Sequence, residues 1–145
     1  LRELMLSLVK HVHSFAKEVK LTAEEWVVMR RHPEIGATLL HDAEDDMFRL
    51  AAEVALTHHE KFDGSGYPYG RKAEEIPLSG RIVAVADFFD ALTMDRCYRP
   101  ALSDEQAFEM LREGVGTHFD PEVVEAFFLA QDRIIETRTR INATA

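Results

Sequence analysis

"GRIVAVADFFDALTM", residues 80–94, is the stretch on which the fold turns. Isoleucine and two valines favour strands, yet the apolar positions of this segment lean to helical spacing. Ser79 stands before it as a candidate N-cap. Read as a helix, it leaves no convincing alternating strand anywhere in the chain, and the neighbouring segments agree with it. Residues 2–19 place Leu4, Met5, Leu8, Val12 and Phe15 at helical spacing. Thr22 and Glu25 form a capping box that starts a helix running to about Arg31, and Pro33 permits a second through Leu40. A helix from about Asp46 to Glu60 carries Leu50, Ala51, Val54 and Ala55 on one face. Ser103 and Gln106 make another capping box before "AFEMLREG". Asp120 and Pro121 supply N-cap and N1 of a final helix, "PEVVEAFFLAQDRI". The expected fold is all-α, a compact bundle of about six or seven helices in one domain over residues 1–145.

Composition narrows the function classes. The apolar fraction of 46% and charged fraction of 30% are those of a globular domain. A net charge of −9 argues against binding a nucleic-acid polymer. No apolar run approaches the ~18 residues of a membrane span. The lone cysteine, Cys97, rules out an internal disulfide framework and fits a cytoplasmic location. The first residue is Leu1 rather than methionine, as expected of an excised domain or of a chain with residues omitted near its N-terminal part.

"THHEKFDGSGYPYG", residues 57–70, carries the chemistry. Successive helical residues are rotated by about 100°, so His58 and His59 on one helix suit two neighbouring metal ions better than one. Asp87, inside the most apolar segment, is expected to be buried and therefore in need of a cation, a donor or a metal. Asp90 follows as a candidate helper. His32 stands before Pro33 at a helix junction. Histidine with carboxylate and no thiolate suits iron, manganese, nickel or zinc. Asp63 is a candidate for fixing the glycine-rich turn, and Lys61 for the rim.

Together these pieces resemble the HD-GYP family of metal-dependent phosphodiesterases. The resemblance runs from about Leu21 to Phe128, through "LTAEEWVVMRRHPEIGATLL", "ALTHHEKFDGSGYPYG", "IPLSGRIVAVADFFDALTMDRCYRPAL" and "GTHFDPEVVEAFF". It implies a centre of two or three divalent transition-metal ions, iron or manganese foremost, with His32, His58, His59 and Asp87 among the ligands. Gly66, Tyr67 and Pro68 match the GYP signature, whose tyrosine helps bind the cyclic dinucleotide. Arg96 and Arg99 resemble the basic pair that holds its phosphate or guanine. The implied reaction is hydrolysis of cyclic di-GMP to pGpG and/or GMP in bacterial second-messenger signalling. The implied partner is a receiver or sensor domain in the full-length protein.

One departure stands out. The His-Asp pair that names the family should lie near Glu3 and Leu4, where "LRELML" has none. The literal pair at His41 and Asp42 follows "GATLL" and leads into "AEDD", so it is a decoy. Either residues around the motif are missing, with His11 or His13 lying upstream of the gap, or the site has decayed. The alternatives are therefore a degenerate module that binds a cyclic dinucleotide or a protein partner, and another HD-type nucleotide phosphohydrolase.

Overall fold

The computed structural model describes residues 22–41, 45–95 and 100–142. The expected helix over 2–19, with His11 and His13, lies outside them, as do Asp42 and the Arg96–Arg99 segment. Among the described residues the chain is all-helical: α1 (Ala23–Met29), α2 (His32–His41), α3 (Asp46–Thr57), α4 (Leu78–Thr93), α5 (Asp104–Glu113), α6 (Pro121–Leu129) and α7 (Gln131–Asn142). A single 3-10 turn occupies Ala73–Glu75, and Val115 and Phe119 form an isolated bridge. No described helix is long and apolar enough to cross a membrane.

Caps made within three or four residues form as their side chains dictate. Thr22 and Glu25 close a reciprocal box on α1, and Ser103 and Gln106 do the same on α5. Asp120 accepts from the Glu122 amide at 2.8 Å, with Pro121 opening α6. Two boundaries in the second half of the chain differ from expectation. Helix α4 begins at Leu78 after Pro77, and Ser79 does not cap it. The Ser79 hydroxyl instead donates to Glu53 of α3 at 2.5 Å, a tertiary bond that sequence spacing does not reveal. The last helix is also two. Ala130 ends α6 with its amide turned back on Ala126 and Phe127, and α7 starts one residue later.

The decisive segment is helical, and its burial pattern explains why. Val85, Phe89 and Leu92 of α4 meet Ala107 and Leu111 of α5, Phe119, and Val123 and Val124 of α6 in one apolar core. Burying these side chains outweighs the weak β preference of two valines. At its other end α4 crosses α3 closely. Gly80 has no side chain, and a Cβ there would stand 2.2 Å from the Thr57 hydroxyl. That close crossing sets the end of α3, and the two histidines after it, against α4. The half-buried Arg81 and the buried Asp120 form an ion pair that joins the start of α4 to the start of α6.

Candidate metal centre

Helix α3 stops at Thr57, so His58 is its C-cap and His59 lies in the turn beyond. This corrects the expected helix to Glu60. Past Thr57 the ladder tightens, with the Glu60 amide on the Thr57 carbonyl at 3.0 Å. His59 is thereby released from the radial direction that an ideal helix would impose. The two rings lie with centroids 4.0 Å apart and tilted by 39°. His32, the first residue of α2, brings its ring edge-on to His59 at 4.8 Å. One nitrogen from each of His32, His58 and His59 lies within 4.8 Å of the others. The geometry thus leaves room for one shared ion as well as for the expected arrangement of two neighbouring ions with one imidazole each.

Hydrogen bonds fix which nitrogens face inward. Nδ1 of His32 sits 2.8 Å from the Met29 carbonyl, and Nδ1 of His58 sits 2.8 Å from the Ala55 carbonyl. A carbonyl oxygen only accepts, so both Nδ1 atoms carry protons. In the neutral rings both Nε2 atoms are then bare lone pairs, and they face each other at 3.3 Å. Two lone pairs at that distance repel unless a cation lies between them. This is the donor arrangement of metal-binding histidines, whose second nitrogen is held by a backbone carbonyl.

The surroundings favour the neutral forms of His59 and His32. Burial, then the neighbouring His58, His32 and His118, push the His59 pKa down to about 3. Burial also lowers His32, opposed by the Met29 carbonyl and by the charge of Asp87. Asp87 therefore faces the cluster electrostatically, but it is exposed, which overturns the expectation of a buried carboxylate. On α4 the core-facing positions are Val85, Phe89 and Leu92, and Asp87 projects away from them. Apolar neighbours in sequence do not bury a residue on the opposite side of a helix. Asp90 is also exposed and lies beside Ala130, Arg133 and Arg138 rather than beside the histidines.

The glycine-rich loop folds over this cluster. The Tyr67 amide donates to the His59 carbonyl at 3.1 Å, and the Tyr67 ring stacks on the His59 ring at 4.7 Å and 27°. Asp63 accepts from the Ser65 amide at 2.8 Å, which places it in the turn-fixing position expected of it. Gly66 packs directly on the backbone of Glu60 and Lys61, and the half-buried Pro68 follows Tyr67 through a cis peptide bond. Burial raises the Tyr67 pKa, so the phenol keeps its proton.

Three participants lie outside the set of site residues expected from the sequence. The Arg30 guanidinium lies over the Tyr67 ring at 5.4 Å. His118, from the loop between α5 and α6, is close enough to influence His59 and has its own pKa lowered, first by burial and then by Lys61. Glu60 is buried under the loop. For Glu60 the signal was available: an acid directly after the paired histidines, at the start of a glycine-rich loop.

Comparison with known proteins extends this picture. The sequence profile of the HD domain family matches residues 9–123. A cyclic di-GMP phosphodiesterase of Vibrio cholerae serotype O1 is 49% identical over 124 residues, covering 82% of this chain and 25% of the relative. A 3'3'-cGAMP-specific phosphodiesterase 2 of the same organism is 43% identical over 125 residues, covering 86% of this chain and 24% of the relative. The chain thus spans about a quarter of the length of these curated relatives. The crystal structure of a cyclic GMP-AMP specific phosphodiesterase from V. cholerae shares the fold. It has a TM-score of 0.55 at 20% identity, covering 90% of this chain and 32% of that one.

Proposed function

The chain belongs to the HD domain family, in its HD-GYP branch, and on that premise we propose that it is a metal-dependent phosphodiesterase acting on cyclic di-GMP to give pGpG and/or GMP. The observation that carries this reading is the pair of Nε2 atoms of His32 and His58 facing each other at 3.3 Å, beside His59 and under Tyr67. We assign His32, His58, His59 and Asp87 as ligands of two or three divalent transition-metal ions, iron or manganese foremost. Bound, such ions supply Lewis acidity at phosphate oxygens and lower the pKa of water.

The remaining tasks fall to the chain's own groups. Carbonyls of Met29 and Ala55 hold His32 and His58 in the tautomer that presents Nε2. Tyr67, kept neutral, offers an O–H donor and a ring face to a dinucleotide, with Gly66 and Pro68 shaping its approach. Arg96 and Arg99, outside the described residues, are assigned to phosphate or guanine, since two guanidinium groups three residues apart can converge on one anion. We place the domain in the cytoplasm, attached in the full-length protein to a receiver or sensor domain.

A second reading has one observation in its favour. No His-Asp pair precedes His32 where the family places it, which suits a module that binds a cyclic dinucleotide without turnover. One experiment separates the two. Protein loaded with iron or manganese is incubated with cyclic di-GMP and, in parallel, with 3'3'-cGAMP, and products are resolved by chromatography. Release of pGpG supports the enzyme. Calorimetric binding with neither substrate consumed supports the module.

A further inference from the structure

We propose that Glu60 is a positioning residue for Tyr67: its carboxylate clamps the far side of the loop and so sets the phenol ring against His59. The proposal rests on the phosphodiesterase reading for its consequence, though not for its geometry. Glu60 is only 2% exposed. No described lysine, arginine or histidine forms an ion pair with it. Its two oxygens are instead divided between two backbone donors, the Tyr69 amide on Oε1 at 2.8 Å and the Arg71 amide on Oε2 at 3.0 Å. A buried carboxylate is tolerated when charge-assisted hydrogen bonds take up its lone pairs, and these do so.

What the clamp holds is informative. Tyr69 and Gly70 are exposed, as is Lys72 just beyond Arg71, so this part of the loop buries little of its own. Around the GYP segment the attachments lead back to residues 59–61: the Tyr67 amide on the His59 carbonyl, Gly66 against the Glu60 backbone, and the amides of residues 69 and 71 on the Glu60 side chain. Elsewhere the loop is held by the Phe62 and Asp63 amides on the His118 and Thr117 carbonyls, and the Tyr69 hydroxyl reaches Glu34 at 3.3 Å. Tyr67 and Pro68 lie between the fixed points. The clamp therefore fixes one side chain's placement over the histidines rather than a piece of core. The amino-acid choice follows. Glutamine has one acceptor oxygen and would aim its NH₂ at a backbone N–H, and aspartate is one methylene shorter.

The test is a cycle of Glu60→Gln and Tyr67→Ala in the manganese-loaded protein, with cyclic di-GMP as probe. Glu60→Gln alone is expected to leave bound manganese at the parent level and raise KM about tenfold. In the Tyr67→Ala background it is expected to raise KM no further, because residues acting as a unit are not additive. A tenfold increase in both backgrounds, or an unchanged KM, overturns the proposal. Amide exchange of the 61–72 segment supplies a readout free of turnover. Amides 69 and 71 are expected to exchange at least tenfold faster in Glu60→Gln, with α4 unchanged, and unaltered rates overturn the clamp. A parent that neither binds nor hydrolyses the dinucleotide removes the activity reading, and exchange then decides the clamp alone.

Discussion

The ring of Tyr67 stacks on the ring of His59 at 4.7 Å, eight residues on in the chain, because the loop between them folds back on itself. The tightest point of that fold is Gly66, where a Cβ would stand 2.3 Å from the Lys61 nitrogen and 2.5 Å from the Glu60 Cα. Backbone cannot yield as a flexible side chain can. Gly66→Ala is expected to destabilise the protein by about 1–3 kcal/mol, as overpacking does. It should also displace Tyr67, so dinucleotide affinity falls together with the urea midpoint. Unchanged midpoint and affinity would show that the loop has another seat.

Metal binding should stabilise the fold by mass action. At free metal a hundredfold above its dissociation constant the gain is about 2.7 kcal/mol, so chelation of loaded protein should lower Tm by roughly 10 °C. His32→Ala, His58→Ala and His59→Ala should each reduce the metal content found by elemental analysis. If all three variants retain parent content, the cluster is not the site.

Asp87→Asn tests an exposed carboxylate rather than a buried one. Its side chain leaves the core untouched, so metal-free stability should change by no more than about 0.5 kcal/mol. Metal retention should nevertheless fall, since the negative charge that favours cation binding near His32 and Tyr67 is lost. Equal retention in competition with a chelator would remove Asp87 from the ligand set.

Arg96→Ala and Arg99→Ala should weaken cyclic di-GMP binding while leaving metal content intact. Loss of a charge-assisted contact is worth about 1.5–3 kcal/mol, or roughly ten- to a hundredfold in affinity. Calorimetry with parent-like affinity in both variants would take the pair out of the site.

The ion pair of Arg81 and Asp120 gives a prediction about the scaffold. The Asp120 side chain is 3% exposed and also caps α6. Asp120→Ala leaves the Arg81 charge uncompensated and removes the cap, and should destabilise by about 3–5 kcal/mol. Asp120→Asn keeps an acceptor for the cap and should lose about half as much. Urea unfolding with an unchanged m-value measures both, and equal losses would mean that the cap contributes nothing.

The helical class and the caps at Thr22, Ser103 and Asp120 were legible in the sequence because each depends on residues within three or four positions of one another. The candidate ligands His32, His58 and His59 were legible as residue types in a recognisable run. Their convergence was not, since it depends on where α2 meets the end of α3 and on the helix stopping at Thr57. The side of α4 that faces the core was also undecided by local composition. Asp87 therefore reads as buried among its neighbours in sequence, yet it stands exposed on the helix. Ser79 illustrates the same limit: its hydroxyl has a cap within reach locally but bonds Glu53, 26 residues away. Arg30 over Tyr67 and His118, whose charge is felt at His59, likewise come from segments distant in the chain. Short-range hydrogen bonds and periodicity are written in adjacent residues, whereas the meeting of donors from separate helices is set by which apolar faces pack together, and only the folded chain decides that.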